Sequence, residues 1–126
     1  MKKEMFSTEI SILRDTFRRL LRRHAKTNII KLIDKTHPAD MALIFRYFND
    51  SEQDTIFAMM RPSEKTVEFL NELDEAITIR IVENETPSRI AEILEEASSN
   101  EQAYLMGLVE ETYAASVIDL FKAEEQ

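Results

Sequence analysis

The 126-residue sequence has few of the residues that build turns, disulfides and phosphate-binding loops. It contains no cysteine, which excludes disulfides, a thiolate nucleophile and a cysteine-ligated zinc site. Its single glycine, Gly107, excludes the dinucleotide-binding fingerprint and the P-loop, because both need several glycines in close register. The unbroken apolar runs are only a few residues long, which predicts neither a transmembrane helix nor a signal peptide.

The residues that are present indicate a soluble, folded, helical chain. Hydrophobic residues make up 44% of the sequence and charged residues 32%, a balance typical of globular rather than disordered chains. The length fits one domain, since two domains would each be too small to bury a good core. One glycine and three prolines leave little turn-forming material for a sheet, so we predict an all-α fold.

The net charge of −8 is unevenly distributed. Residues 1–35 carry ten Lys/Arg against four Asp/Glu, a net of +6, and residues 36–126 carry six against twenty, a net of −14. The acidic part predicts no nucleic-acid partner, because such binding neutralises phosphates. The basic part has two interpretations: it binds nucleic acid or an anionic membrane, or it pairs with an acidic surface of the chain or of a partner domain. The lack of interleaved aromatic residues favours the second.

Two helices are predicted before the first proline. Apolar residues recur at steps of three and four over residues 7–23, which indicates a helix with one buried stripe, capped by Ser7 or Thr8. A second, shorter helix is predicted to end near Lys35, before His37 and Pro38, since the residue before a proline is pushed out of the helical region. The stripe of the first helix consists of Ile10, Leu13, Phe17, Leu20 and Leu21.

A repeat of 24 to 25 residues follows, marked by Pro38, Pro62 and Pro87. Proline suits the first turn of a helix, so each of the three is predicted to open an amphipathic helix. A second helix is predicted between consecutive prolines, and a fourth unit is predicted to begin near Thr112. Residues 76–82 alternate β-branched side chains like a strand, but their place in the repeat predicts a helix.

Each unit is therefore a helix pair that cannot cover its own apolar face, and stacked units would bury a shared core. We predict a basic N-terminal helix over residues 1–24 and a helical-repeat domain over residues 25–126, which together form one domain. Gly107 either lets two helices approach closely or weakens one. The predicted core positions are Met41, Ile44, Phe45, Phe48, Val67, Leu70, Ile90, Ile93 and Leu94.

No set of residues in the sequence supports an enzyme. His24 lies in the basic segment and His37 precedes a helix-opening proline, so neither belongs to a nucleophile–histidine–acid set. The acidic excess leaves two interpretations open: a solvated surface that maintains solubility, or a surface for weak Mg²⁺ binding. Mg²⁺ keeps several of its waters and uses one or two carboxylates at a time, so scattered carboxylates suffice for a weak site.

The segment from His37 to Asp40, with Leu43, Ile44 and Phe48 and the two later proline-led helices, resembles the N-terminal cytosolic domain of MgtE-type magnesium transporters. The resemblance covers about residues 25–121. It implies a right-handed superhelix of short helix pairs, an armadillo- or HEAT-like solenoid. In that family a pair of CBS domains, a connecting helix and a dimeric transmembrane channel follow this domain.

The resemblance implies a cytoplasmic regulatory domain that senses Mg²⁺ through acidic residues packed against the CBS pair, which closes the pore. It implies Glu68 as a magnesium-facing glutamate, and Glu101 as the acidic residue of the next helix turn where the family has carboxylates. Asn100 and Tyr104 stand at two other such positions. The implied partners are the CBS and transmembrane domains of the same transporter, with a homodimer only in the full-length protein.

We expect Mg²⁺ binding by this chain to be weak and interdomain, because one domain supplies at most two or three carboxylates. The sequence ends at Gln126 without a CBS pair or a membrane segment, so we expect that it transports nothing alone. The alternative is a structural adaptor related to the middle domain of the flagellar motor-switch protein FliG, a similar helical repeat. Asp40, two residues after Pro38, and the acidic later helices favour the MgtE resemblance.

Overall fold

All regular secondary structure is α-helical in residues 2–125, the part of the backbone that the computed structural model describes; side chains are described for residues 8–122. The predicted all-α helical repeat is confirmed, and its predicted right-handedness stays a prediction. The nine helices of this part are α1 (Lys2–Arg22), α2 (Lys26–Lys35), α3 (Pro38–Phe45), α4 (Asp50–Ala58), α5 (Glu64–Glu72), α6 (Glu75–Glu83), α7 (Pro87–Leu94), α8 (Ser99–Leu108) and α9 (Glu111–Glu125).

The helices pack into two compact units. The first unit, Met1–Met60, contains α1 to α4, and α1 contacts both α2 and α3. The second unit, Arg61–Gln126, contains α5 to α9, where α9 packs on α7 and α8, and α5 contacts α7 and α8. The predicted association of residues 1–24 with residues 25–126 in one domain stays a prediction.

The first helix is longer than its sequence pattern indicated. It begins at Lys2, so Ser7 and Thr8 lie inside α1 and the prediction that either caps it is wrong. The reason is that Lys, Glu and Met are good helix formers, so nothing before residue 7 stops the helix. The helix ends at Arg22. Two residues later, His24 has a φ of 53°, in the left-handed region, and the Ala25 N–H donates to the Leu20 carbonyl at 3.0 Å.

Two of the three prolines open helices as predicted. Pro38 and Pro87 occupy the first turns of α3 and α7. The residue before each proline is the cap: His37 Nδ1 accepts the Ala39 N–H at 3.1 Å, and the Thr86 side chain accepts the N–H three residues on at 3.3 Å. Both caps satisfy a helix N–H that has no partner within the helix.

The prediction for Pro62 is wrong, because α5 begins two residues later at Glu64. Ser63 is the cap, and its Oγ accepts the Thr66 N–H at 3.3 Å. Arg61, the residue before Pro62, has only donors in its side chain and cannot cap a helix N-terminus. The next acceptor along the chain is Ser63, so the helix starts after it.

The segment with strand-like alternation is helical, as predicted from its place in the repeat. It forms α6, in which Thr78, Ile81 and Val82 are buried on one face. Burial at steps of three and four is the pattern of a helix with one face in the core, so packing outweighs the local β propensity. The predicted fourth unit is the single helix α9 within the described residues.

One polar residue links the two helices in each of the pairs α3–α4, α5–α6 and α7–α8; Gln53 and Thr78 are buried, and Gln102 is half-buried. Gln53, Thr78 and Gln102 each lie four residues after the cap of the second helix and donate a hydrogen bond to the carbonyl eight residues earlier. The distances are 2.7 Å to Phe45, 3.3 Å to Leu70 and 2.9 Å to Leu94, respectively. Carbonyls at a helix C-terminus have no partner within the helix, so these bonds satisfy them.

The predicted core residues are all buried: Met41, Ile44, Phe45, Phe48, Val67, Leu70, Ile90, Ile93 and Leu94. Of the α1 stripe, Ile10 and Phe17 are buried, and the leucines are half-buried. Gly107 is exposed in α8, and a Cβ there would have no atom within 4 Å. Close helix approach is therefore excluded as its role, and glycine simply lowers the helix propensity at this position.

Arg18 joins α1 to the start of α4 in the first unit. The Asn49 side chain and Glu52 form a capping box, and the Arg18 guanidinium donates to both Glu52 oxygens at 3.0 and 3.3 Å. Partial burial raises the pKa of the Glu52 carboxyl. The hydrogen bonds from Arg18 and from the Asn49 N–H, with the charges of Arg18 and Arg22, outweigh burial and hold that pKa below its ordinary value of 4.5.

We predict that Phe45→Ala or Leu94→Ala lowers the free energy of unfolding by about 2–5 kcal/mol, the range for truncating a large core side chain. Phe45 is fully buried and packs edge-on against Phe48, with ring centroids 5.8 Å apart. Urea unfolding followed by circular dichroism measures the change. Ile12→Ala is the control, since Ile12 is 62% exposed and its truncation should stay within about 0.5 kcal/mol. Equal stability of the Phe45 variant and the control would contradict the core assignment.

We predict that Glu52 makes stability depend on pH. Its pKa is lower in the folded than in the unfolded chain, so ionised Glu52 stabilises the fold above pH 4.5, and this stabilisation is lost as the pH falls through the folded value. Urea unfolding at neutral and acidic pH should show a larger loss in the native chain than in Glu52→Gln. Arg18→Gln is the matched background, in which Glu52→Gln should change the pH dependence much less. If Glu52→Gln changed the pH dependence of stability equally with and without Arg18, the lowered pKa of Glu52 would have a cause other than Arg18.

Candidate functional site

Both site residues predicted from the sequence line one surface depression of the second unit. This depression, which we call the acidic depression, has a volume of about 460 Å³. Its lining residues are Glu64, Glu68, Glu96, Ser98 and Glu101. The first two lie one turn apart on α5, Glu96 follows the end of α7, and the last two lie at the start of α8. Packing of α5 against α7 and α8 brings these three segments together.

Glu68 lies on the solvent-facing side of α5. The opposite side of the helix is buried through Val67, Phe69 and Leu70, so the helix is fixed and the Glu68 side chain projects outward. The Glu68 carboxylate has no hydrogen bond or ion pair with any group in the described part of the chain. It is therefore available to an external cation or to a partner domain.

Glu101 differs from Glu68 because both of its carboxylate oxygens are engaged. Its Oε1 accepts the Ser98 N–H at 2.8 Å, and Ser98 Oγ accepts the Glu101 N–H at 3.2 Å, which completes a capping box at the start of α8. Its Oε2 accepts a hydrogen bond from Asn71 Nδ2 on α5 at 3.0 Å. These bonds hold the carboxylate in one place at the rim of the acidic depression.

Two further residues, at positions where the resemblance implies carboxylates, lie beside Glu101. Asn100 and Tyr104, with Asn71 and Glu101, line an adjoining depression of about 340 Å³. Asn71 was not singled out in the sequence, although it lies three residues after Glu68 and seven after Glu64, on the same face of α5. Its Oδ1 is buried and has no hydrogen-bond partner in the described structure.

The acidic depression offers the right kind of donor for Mg²⁺ but an incomplete set. Carboxylate oxygens are the ligands that this hard cation takes in proteins. Among the described residues, however, no group of three or more His, Cys, Asp or Glu side chains converges closely enough to hold a metal ion. Any binding at Glu68 and Glu101 therefore uses few protein ligands and retains water, unless a second surface adds ligands.

Both histidines have structural positions. His37 caps α3 through Nδ1, and His24 takes the left-handed conformation that ends α1. The sequence-based role of His37 as the residue before a helix-opening proline is confirmed, and the structure adds the capping hydrogen bond.

These features define a class of protein: an all-α helical-repeat domain whose second unit carries an acidic surface depression. The chain belongs to the MgtE intracellular N domain family, whose model matches residues 36–126. This is the N-terminal domain of MgtE-type magnesium transporters, a regulatory family and not an enzyme family. The match begins next to His37 and leaves α1 and α2 outside it.

Comparison with curated proteins and with solved structures gave no match. None of the helices in the described part of the chain is both long enough and apolar enough to cross a membrane.

We predict that the two site glutamates differ in what they do for stability. Glu101→Ala removes the capping box of α8 and the bond to Asn71, so it should lower the free energy of unfolding by about 1–2 kcal/mol. Glu68→Ala should change it by no more than about 0.5 kcal/mol, since Glu68 is exposed and has no internal partner. Urea unfolding of the two variants measures the difference, and equal losses would contradict the distinction.

Proposed function

We propose that this chain is a cytosolic regulatory domain of a magnesium transporter and that it senses intracellular Mg²⁺ through the acidic depression. The family match supports the transporter context. The single observation that carries the sensing proposal is that Glu68 and Glu101, which lie 33 residues apart in sequence, line the same depression. That juxtaposition comes from packing and is visible in no local motif.

In this proposal Glu68 and Glu101 hold the cation on the side of this chain. Bound Mg²⁺ would supply positive charge that offsets the repulsion between carboxylates. Glu68 offers a free carboxylate, and Glu101 offers one that is already oriented by the Ser98 N–H and by Asn71. The chain by itself supplies too few ligands for tight binding, so the binding is weak and the remaining ligands come from a second domain.

The proposed partner is the CBS-domain pair of the same transporter. An acidic surface on each domain keeps the two apart until the cation neutralises both, so Mg²⁺ favours the closed arrangement through its higher affinity for that arrangement. The closed cytosolic part then shuts the pore of the transmembrane domain. We propose that homodimerisation belongs to the full-length transporter. The family match favours this function over the adaptor role related to FliG.

We predict that Glu68→Gln, in the full-length transporter, shifts the Mg²⁺ dependence of protease protection of the cytosolic part to higher concentration. The attraction between a carboxylate and a divalent cation in close contact in water is about 2 kcal/mol, and salt weakens it. The shift in Mg²⁺ concentration should therefore be about tenfold. The fold should stay intact, because Glu68 is exposed and has no internal partner.

Glu92→Gln is the matched control, because Glu92 is an exposed glutamate of the same unit and does not line the acidic depression. Its protection curve should match that of the native transporter. Glu101→Gln tests the second ligand, with unfolding of the isolated chain measured in parallel to separate loss of the cap from loss of sensing. Unshifted curves for both the Glu68 and the Glu101 variants would remove the acidic depression from sensing.

A further inference from the structure

Four exposed cations surround the turn between α1 and α2. They are Arg19, Arg22, Arg23 and Lys26, which we call the basic corner. The tight turn at His24 keeps the end of α1 close to the start of α2, so the four residues share one small region of surface. No aspartate or glutamate occurs from residue 16 to residue 33, so the nearest carboxylates are Asp15, one helical turn before Arg19, and Glu52, whose charge Arg22 senses.

Arg18, a neighbour of the basic corner in sequence, makes contacts within the first unit instead. Arg18 pairs with Glu52, and its guanidinium lies 5.8 Å from the centre of the Phe48 ring, so it is committed to the contact between α1 and α4. Arg22 lies within electrostatic range of Glu52 but makes no hydrogen bond to it. Arg19, Arg23 and Lys26 have no ion pair with any side chain that the structure describes.

Helix stability explains only part of the basic corner. Arg19 and Arg22 lie in the last turn of α1, where positive charge is favourable. Lys26 lies in the first turn of α2, where positive charge is unfavourable and where α2 has no acidic residue. Arg19 and Arg23 are four residues apart on one face and repel each other. Lys26 and the Arg19–Arg23 pair are therefore unfavourable for the free chain, and an external anionic surface would relieve both effects.

We propose that the basic corner docks onto the surface of an anionic phospholipid bilayer. Charge complementarity carries this inference, because the cytoplasmic leaflet is negative and clustered Lys and Arg near it are attracted. The proposal rests on the proposed function in one respect: a transporter domain is tethered near a bilayer, so the effective lipid concentration is high. The basic corner lies outside the family match of residues 36–126 and is thus a feature of this chain's own N-terminal hairpin.

Nucleic acid is a poorer fit to the same charges. From position 8 to position 35 only Phe17 and His24 have aromatic rings, and Phe17 is fully buried. The hairpin therefore exposes one imidazole and not the series of aromatic rings on which successive bases stack.

The test is co-sedimentation of the chain with vesicles of phosphatidylcholine, alone or with about one third phosphatidylglycerol, at low ionic strength and without Mg²⁺. Binding is expected only with the anionic vesicles and should disappear at high salt. Each neutralised cation should weaken partitioning about fivefold, so Arg19→Gln/Arg23→Gln/Lys26→Gln together should weaken it about a hundredfold. The triple variant Arg19→Lys/Arg23→Lys/Lys26→Arg keeps the charge and should bind like the native chain.

Lys122→Gln is the matched control for a single substitution such as Arg23→Gln, because Lys122 is an exposed cation in the second unit and its loss changes the net charge equally. It should weaken binding less than about twofold. Circular dichroism checks that every variant stays helical. Since the assay contains no Mg²⁺ and no transporter, its failure leaves the magnesium proposal standing, and an unshifted protease-protection curve leaves this one standing.

Three outcomes would overturn the proposal. The first is equal binding to neutral and anionic vesicles, or none to either. The second is an equal loss in Lys122→Gln and Arg23→Gln. The third is binding of the basic corner to another partner. Preferential binding to single-stranded RNA at the same salt would assign it to nucleic acid. A salt-sensitive dimer that forms without vesicles, and that the triple Gln variant abolishes, would assign it to an acidic surface on another copy.

Discussion

Burial of one face of α5 is the constraint on which the candidate site depends. Val67, Phe69 and Leu70 are buried, and α5 contacts both α7 and α8. Because one face of the helix is held in the core, the helix cannot rotate about its axis, and Glu64 and Glu68 on the opposite face must point away from the core. The same packing brings the start of α8 beside α5, which is why Glu101 reaches Asn71 at 3.0 Å.

The two capping boxes have the same design, which bears on how Glu101 is interpreted. In each, the glutamate three residues after the cap also accepts a hydrogen bond from an earlier helix: Glu52 from Arg18, and Glu101 from Asn71. The residue that follows is a glutamine in both cases, and its amide donates to a carbonyl eight residues earlier. Glu101 is thus first a structural residue of the repeat, and a role toward Mg²⁺ would use a carboxylate that the fold has already oriented.

The repeat also explains where sequence reasoning about helix starts succeeded and where it failed. A proline opened a helix only where the residue before it can cap, as His37 and Thr86 do. Arg61 cannot cap, so the helix after Pro62 started at Glu64 instead. The period of 24 to 25 residues was visible in the prolines, but the same period in Gln53, Thr78 and Gln102 became meaningful only through their hydrogen bonds.

The sequence by itself determined the helical class, the core positions and the helical state of residues 76–82, because each depends on the periodicity of apolar residues. It also contained the MgtE family membership, which is a property of the pattern as a whole. Tertiary structure alone decided which carboxylates meet. Glu68 and Glu101 belong to different helices, α5 and α8. The relative position of two helices depends on how their apolar faces pack, which no local sequence pattern specifies. The involvement of Asn71 was likewise decided by packing, because its partner is 30 residues away along the chain.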